Sequence, residues 1–178
     1  MTWSQERKLS KTGTSHPAAA RGPSCSRRAW ARACALALPL VYSLLAAAPA
    51  QAAEPERLEI VTASGPQLFQ VEVMRNDADR IRGLMFRRFM PPDRGMLFDF
   101  QEEQPVMMWM RNTIIPLDLV FIARNGQIAN IAENTEPMSE RTIPSEGPVT
   151  AVLELNAGTA ARTGMKKGDQ VRHAMFGK

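Results

Sequence analysis

The sequence predicts a single, mostly β α+β domain, built as a compact barrel-like sheet of about seven or eight short strands with two short helices. Short apolar stretches recur along residues 53–178 and are separated by glycine, proline and asparagine, as in a series of strands and turns. Only two short segments carry helix start and stop signals. The 126 residues of this region are enough for one hydrophobic core and contain no internal repeat.

The first half of this region predicts two strands, a short helix and a third strand. Residues 57–62 alternate weakly in hydropathy, and a second apolar stretch follows the turn residues Ser64-Gly65-Pro66. Asn76 and the acidic residues after it are typical of a helix start. Residues 91–95 predict a turn, which leads into a buried strand at 96–100.

The second half predicts further strands and the second helix. Residues 106–110 are expected to be extended. Residues 117–123 and 127–133 flank Asn125-Gly126, which favours a tight hairpin because both residues tolerate positive φ. Residues 134–148 are polar and contain three prolines, so they predict a long surface loop. The remaining predicted elements are a strand at 149–155, a helix at 157–163 and a strand at 170–176.

The first 52 residues predict a secretory signal peptide that is cleaved after Ala52. Arginines precede an uncharged run at 33–53, which ends in the small-x-small sequence Ala50-Gln51-Ala52. A membrane anchor is less favoured, because the run is short, rich in alanine and interrupted by two prolines. The pair Arg27-Arg28 is also similar to a twin-arginine signal, so both export routes remain open. We therefore expect residues 53–178 to form one periplasmic or secreted domain.

The composition of that domain argues against several functional classes. Seven of the 22 basic residues lie in the leader with one of the 18 acidic residues, so the remaining chain carries 15 bases and 17 acids. This balance favours neither a nucleic-acid partner nor stable membrane insertion. Both cysteines, Cys25 and Cys34, lie in the leader, and His173 is the one histidine after it. We expect no disulfide, no thiolate or histidine-rich metal site and no cofactor.

Five sequence blocks stand out between residues 58 and 176. In order they are 82–87 (RGLMFR), 95–98 (GMLF), 108–118 (MWMRNTIIPLD), 152–158 (VLELNAG) and 168–169 (GD). These blocks resemble the signature of a family of small exported bacterial and archaeal domains of unknown function. The resemblance implies a compact strand-rich domain, usually behind a signal peptide or lipid anchor, and it brings no established reaction or catalytic residue. A lipid anchor is not expected, because no cysteine follows the leader.

The segment with the most unusual residues predicts a ligand-binding groove. Its tryptophan is the only one after the leader, and a polar corner follows before Ile-Ile-Pro. The candidate groove residues are Trp109, Met110, Asn112, Thr113 and Asp118. The alternative is that the short polar side chains only satisfy the backbone of a turn, with a buried Asp118 as a structural acceptor.

Arginines offer a second candidate site. Arg87 and Arg111 are ligand-binding candidates that could gather with neighbouring arginines, because the planar guanidinium suits carboxylate and phosphate groups. The arginines that could join them are Arg82, Arg88 and Arg94. The alternative is a solvated charged face, paired with the abundant acidic residues.

Two further alternatives concern metal binding and catalysis. The thioethers of Met108 and Met110, beside an indole, have the composition of a Cu(I) or Ag(I) site, although methionine is also a common core residue. Asp118 with Glu154, and an arginine as electrophile, would suit a small carboxylate-dependent enzyme. Neither a metal nor catalysis is the favoured expectation. The sequence favours a non-catalytic module that binds a small molecule or an envelope protein.

Overall fold

The computed structural model describes residues 54–177, and the predicted leader lies outside them. Seven strands, two α-helices and one short 3-10 turn make up this part of the chain. They are β1 (Glu56–Thr62), β2 (Gly65–Met74), α1 (Asp77–Arg82), β3 (Arg94–Met108), β4 (Leu117–Ile122), β5 (Ile128–Thr135), β6 (Ile143–Asn156), α2 (Thr159–Thr163), β7 (Gln170–Arg172) and the 3-10 turn Ala174–Phe176. Within these residues, no helix is both long enough and apolar enough to span a bilayer.

The strands form one mixed sheet in the order β5-β4-β6-β3-β2-β1-β7. All neighbouring pairs are antiparallel except β2 and β3, which run parallel because α1 carries the chain back between them. The sheet curves into a half-barrel, so the predicted mostly β α+β class is confirmed.

The two edges of the sheet approach each other at one end. The turn between β4 and β5 meets β7, where Val171 N donates to the Gly126 carbonyl oxygen at 2.8 Å and Gln127 bridges Gln170. Gly126 has φ +81°, and a Cβ at this position would lie 2.5 Å from Gln170 Nε2 and 2.7 Å from the Val171 oxygen. Glycine is therefore required here both for its conformation and for the close approach.

The sheet has a hydrophobic cluster on each face. The face we call the α2 face packs against that helix and includes Leu58, Val120 and Leu153. The other face, which we call the α1 face, is covered by chain that follows α1 and β3, and it includes Leu84 and Val152. Alternation along β6 places neighbouring residues of that strand on opposite faces.

The predicted loop at 134–148 is wrong in part. Strand β5 continues to Thr135, and β6 begins at Ile143, where it pairs with the second half of β3. Met108 aligns with Ile143 and Pro105 with Pro148, with register shifts that accommodate the prolines. The extended stretches expected at 96–100 and 106–110 are joined in the single strand β3, which ends at Met108, two residues earlier than predicted.

The last strand is also shorter than predicted. It ends at Arg172, and His173 Nδ1 accepts a hydrogen bond from Met175 N at 3.3 Å at the start of the 3-10 turn. His173 is buried, and its Nε2 lies 3.3 Å from Glu56 Oε2. Burial lowers the pKa of this imidazole, so His173 is a neutral structural residue near neutral pH.

Candidate functional site

One wall of the candidate site is α1 and the turn after it. Asn76 caps this helix by accepting a hydrogen bond from Asp79 N at 2.9 Å, as its position in the sequence predicts. The helix ends at Gly83, which has φ +43°. A Cβ there would lie 3.0 Å from Phe98 Cζ, so glycine lets this turn pack closely on the sheet. Leu84 is then buried against the α1 face.

The opposite wall is the segment that follows β3. Trp109 is 48% exposed, and the guanidinium of Arg111 lies over its ring, 4.8 Å from the centroid. The two walls are linked by a hydrogen bond of 2.8 Å, which Phe86 N of the first wall donates to the carbonyl oxygen of Asn112 in the second wall. Phe86 and Asn112 have φ values of +65° and +59°. Asparagine tolerates this conformation, but it is costly for phenylalanine, and the hydrogen bond helps to hold Phe86 in it.

Glu154 lies between these walls on β6. It aligns with Met96 of β3 and with Leu119 of β4, so its side chain is on the α1 face among apolar neighbours. The residue is 5% exposed, and none of residues 54–177 makes a hydrogen bond to its Oε2. Burial raises the pKa of Glu154 to about 8, so the carboxyl group is mostly protonated at neutral pH. A buried, perturbed carboxyl at the wall of a cleft marks a candidate functional site.

The space between the walls has a narrow and a wide part. The narrow part, which we call the Glu154 cleft, has a volume of about 30 Å³. Its lining includes Gly83, Leu84, Trp109, Arg111, Thr113 and Glu154. The wide part, which we call the outer groove, has a volume of about 320 Å³. Its lining includes Ile81, Phe98, Phe100, Met107, Met108 and Trp109. Trp109 lines both parts, so the apolar groove and the polar cleft are adjacent.

Three arginines also line the Glu154 cleft. Arg80 is paired with Asp77 and donates to the Asp99 carbonyl oxygen at 2.6 Å. Arg82 and Arg111 are exposed, and neither has a carboxylate within ion-pair distance in the described part of the chain. With Glu154 protonated, the cleft carries a net positive charge and attracts anionic groups.

Comparison with known proteins identifies the family. A model of the DUF192 family, described as "Uncharacterized ACR", matches residues 59–173. The chain belongs to the DUF192 family. This membership agrees with the resemblance to a family of unknown function seen in the sequence.

Two solved structures are similar to this DUF192 domain. A protein from Sinorhizobium meliloti 1021, described only provisionally as a transcription regulator, is 52% identical, with a TM-score of 0.66 over 67% of this chain and 94% of that one. A protein of unknown function from Novosphingobium aromaticivorans DSM 12444 is 38% identical, with a TM-score of 0.68 over 71% of this chain and 90% of that one. The search of curated proteins found no match.

The structure brings some of the predicted groove residues together. Trp109, Arg111 and Thr113 line the Glu154 cleft. The backbone carbonyl of Asn112 links the two walls through its hydrogen bond with Phe86 N. The side-chain Nδ2 of Asn112 lies 3.9 Å from the sulfur of Met85. Met110 is fully buried instead, and its sulfur lies 3.2 Å from Thr135 Oγ1, which donates its proton to the Leu117 carbonyl oxygen at 2.9 Å. Met110 therefore lies in the core of the DUF192 domain, away from the groove lining.

Asp118 is a structural acceptor rather than a groove residue. Its fully buried carboxylate accepts hydrogen bonds from three backbone amides: Asn134 N at 2.9 Å, Gly158 N at 3.2 Å and Ala160 N at 2.8 Å. These bonds tie β4 to the end of β5 and to the start of α2. This arrangement corresponds to the structural alternative considered from the sequence.

Asp118 and Glu154 do not form the acid/base pair expected for an enzyme. Asp118 aligns with Leu155, whereas Leu119 aligns with Glu154. Because aligned residues share a face and sequence neighbours do not, the two carboxyl groups lie on opposite faces of the sheet. The acid/base pair proposed from the sequence is therefore wrong.

Arg87 is engaged away from the Glu154 cleft. Its guanidinium makes a bidentate pair with Glu72 of β2, with N–O distances of 2.5 and 2.6 Å. The hydrogen bonds from Arg87 lower the pKa of Glu72, and Arg94 contributes to this lowering by its charge. Arg82 and Arg111 line the cleft, so the five arginines do not gather into one site.

The thioether pair expected for a copper site is not assembled as an open site. Met108 lines the outer groove, whereas the Met110 side chain is fully buried in the core. Among residues 54–177, no group of three or more histidine, cysteine, aspartate or glutamate residues is placed to hold a metal ion.

The sequence did not predict the central position of Glu154 in the candidate site. Glu154 entered only as a partner for Asp118. The available signal was a single acidic residue inside the apolar strand at 149–155. A buried carboxyl in such a strand is costly, so it is an unusual position for a merely structural residue.

Proposed function

We propose that this DUF192 domain is a non-catalytic module that binds a small organic molecule, with a polar end in the Glu154 cleft and an apolar body in the outer groove. The observation that carries this proposal is the buried Glu154 oxygen, which has no hydrogen-bond partner among the described residues. Leaving a buried polar atom unsatisfied costs roughly 1–3 kcal/mol. A ligand that supplies the partner recovers this cost on binding.

The outer groove supports the apolar half of the proposal. Ile81, Met107 and Trp109 are exposed there, with Met107 73% exposed. Apolar side chains around a few polar groups are typical of small-molecule sites. The hydrogen bond between Phe86 and Asn112 links the two walls, which reduces the ordering needed when a ligand binds.

The size of the Glu154 cleft limits what enters it. A volume of about 30 Å³ admits one small terminal group, whereas the outer groove, at about 320 Å³, has room for an aromatic ring or a short alkyl chain. Glu154 and Asp118 lie on opposite faces, so the acid/base argument for an enzyme is lost and binding is the better-supported function.

We also propose that the domain acts in the periplasm or outside the cell, because residues 1–52 have the composition of a signal peptide. A role in transcription, as suggested for the Sinorhizobium protein, is less favoured because residues 53–178 carry more acids than bases. The intact mass of the protein purified from the producing cell's envelope tests export. We expect the mass of a chain whose first residue is residue 53. A full-length product in the cytoplasm would contradict export.

A fragment screen by ligand-detected NMR tests the binding function. We expect hits that compete with one another and that are lost in Trp109→Ala, which removes a wall of both parts of the site. Phe89→Ala is the matched control, because Phe89 is 73% exposed and is absent from the lining of both parts. Hits that survive equally in both variants, or no hits at all, would contradict a ligand site in this cleft.

A further inference from the structure

We infer that the ligand is a small carboxylic acid with an apolar body, whose carboxylate accepts a hydrogen bond from the Glu154 side chain beside Arg82 and Arg111. This inference rests on the proposed binding function and names the chemical class that the same site takes. It concerns only the polar end of the ligand, since the outer groove accepts many apolar bodies.

The charges around the cleft select the sign of the ligand. Every other titratable side chain that lines the Glu154 cleft is an arginine: Arg80, Arg82 and Arg111. Arg80 is neutralised by Asp77, but Arg82 and Arg111 have no carboxylate partner in residues 54–177. A ligand amine would meet these two cations, whereas a carboxylate would be attracted by them.

The protonation of Glu154 selects the hydrogen-bonding character of the ligand. A protonated carboxyl has one O–H donor, which an ionised glutamate lacks. A hydrogen bond from a neutral acid to a carboxylate is charge-assisted and therefore stronger than a neutral one. The same donor would gain less from an alcohol.

The volume of the cleft selects the shape of the anionic group. A planar carboxylate is a smaller terminal group than a tetrahedral phosphonate or phosphate. At about 30 Å³, the Glu154 cleft favours the planar group. Because the outer groove adjoins the cleft at Trp109, the apolar body can extend from the carboxylate over the indole ring.

Calorimetric titration of the purified protein with four matched probes tests the inference. The probes share a phenylalkyl body and differ in the terminal group: 4-phenylbutanoate, 4-phenylbutan-1-ol, 4-phenylbutylamine and 3-phenylpropylphosphonate. We expect the carboxylate to bind at least tenfold more tightly than each of the others. Arg111→Gln should weaken carboxylate binding, whereas Arg88→Gln, at an exposed arginine that is not in the lining, should not.

The dependence on pH separates this inference from simple attraction by the arginines. Between pH 7 and pH 9 the affinity for 4-phenylbutanoate should fall about tenfold, because Glu154 ionises and loses its donor. Glu154→Gln keeps an N–H donor that does not titrate, so its affinity should not change over this interval.

The outcomes distinguish the ligand class from the binding function. Preference for the amine, the alcohol or the phosphonate overturns the carboxylate inference while leaving the site intact. The carboxylate inference is also overturned if fragments bind in a way that depends on Trp109 but none of them carries a carboxylate. If no compound binds in a way that depends on Trp109, the binding function fails as well. A pH dependence that persists in Glu154→Gln would remove Glu154 from the recognition of the ligand.

Discussion

Replacing Asp118 with alanine should remove a large part of the stability of this domain. Its buried carboxylate accepts three backbone N–H groups, at 2.9, 3.2 and 2.8 Å, and two of these belong to the start of α2. Alanine leaves all three donors without this acceptor. At roughly 1–3 kcal/mol for each buried unsatisfied group, with partial relief by entering water, we expect a loss of about 3–5 kcal/mol.

This loss is large compared with the total stability of such a domain, which is typically about 5–15 kcal/mol. For a chain of this size the midpoint of thermal unfolding should fall by about 10–20 °C. Urea denaturation followed by circular dichroism measures the free energy of unfolding directly. Hydrogen exchange supplies a local test, since the amides of Gly158 and Ala160 should lose protection more than amides of β1.

Asp169→Ala is the matched control for Asp118→Ala. Asp169 also accepts one backbone amide, from Lys166 at 2.9 Å, but in an exposed turn where water can replace it. We expect it to lose less than about 1 kcal/mol. Losses of equal size in the two variants, or unchanged exchange at the start of α2, would refute the conclusion that Asp118 holds that helix in place.

Three further results are expected from denaturation measurements. The free energy of unfolding should fall about 2 kcal/mol more in Gly126→Ala than in Gly168→Ala. Both glycines have positive φ, but only a Cβ at Gly126 would clash with β7. The stability of the wild type relative to Glu154→Gln should fall as pH rises from about 4.5 to about 8, because folded Glu154 keeps a proton that the unfolded chain releases, whereas glutamine does not titrate. Arg87→Ala should lose less than about 1 kcal/mol, because its pair with Glu72 is partly exposed, and ligand binding should not change.

Each of these results has an outcome that contradicts it. Equal losses in the two glycine variants would show that the contact with β7 is not tight. A stability difference between the wild type and Glu154→Gln that does not change over the stated pH range would show that folded Glu154 is ionised. Loss of ligand binding in Arg87→Ala would show that Arg87 contributes to the binding site.

Local signals in the sequence were sufficient for most of the fold. Asn125-Gly126 predicted the β4–β5 turn, and Asn76 predicted the start of α1, because each depends on residues that are adjacent in the chain. The start of β6 was missed, since residues 143–148 are polar and contain two prolines, and only their pairing with the long β3 makes them a strand.

The candidate site depended on information that the sequence does not contain locally. Trp109, Arg111 and Thr113 are close in sequence, so one segment could suggest them together. Glu154 joins them only because of the register of β6 with its neighbours, and a shift of one residue would place it on the other face. The same register separates it from Asp118. Register between distant strands is set by the whole sheet, so neither relation was available before the structure.

The pairing of β1 with β7 has a consequence for when the molecule can fold. The first strand of the sheet aligns with the last, Ile60 with Val171, so this edge requires two segments from opposite ends of the domain. During synthesis β1 leaves the ribosome long before its partner exists, and bringing such distant segments together is slow. Until the final strand arrives, the edge of β1 remains open to other chains. The sheet can therefore be completed only after nearly the whole domain has been synthesised.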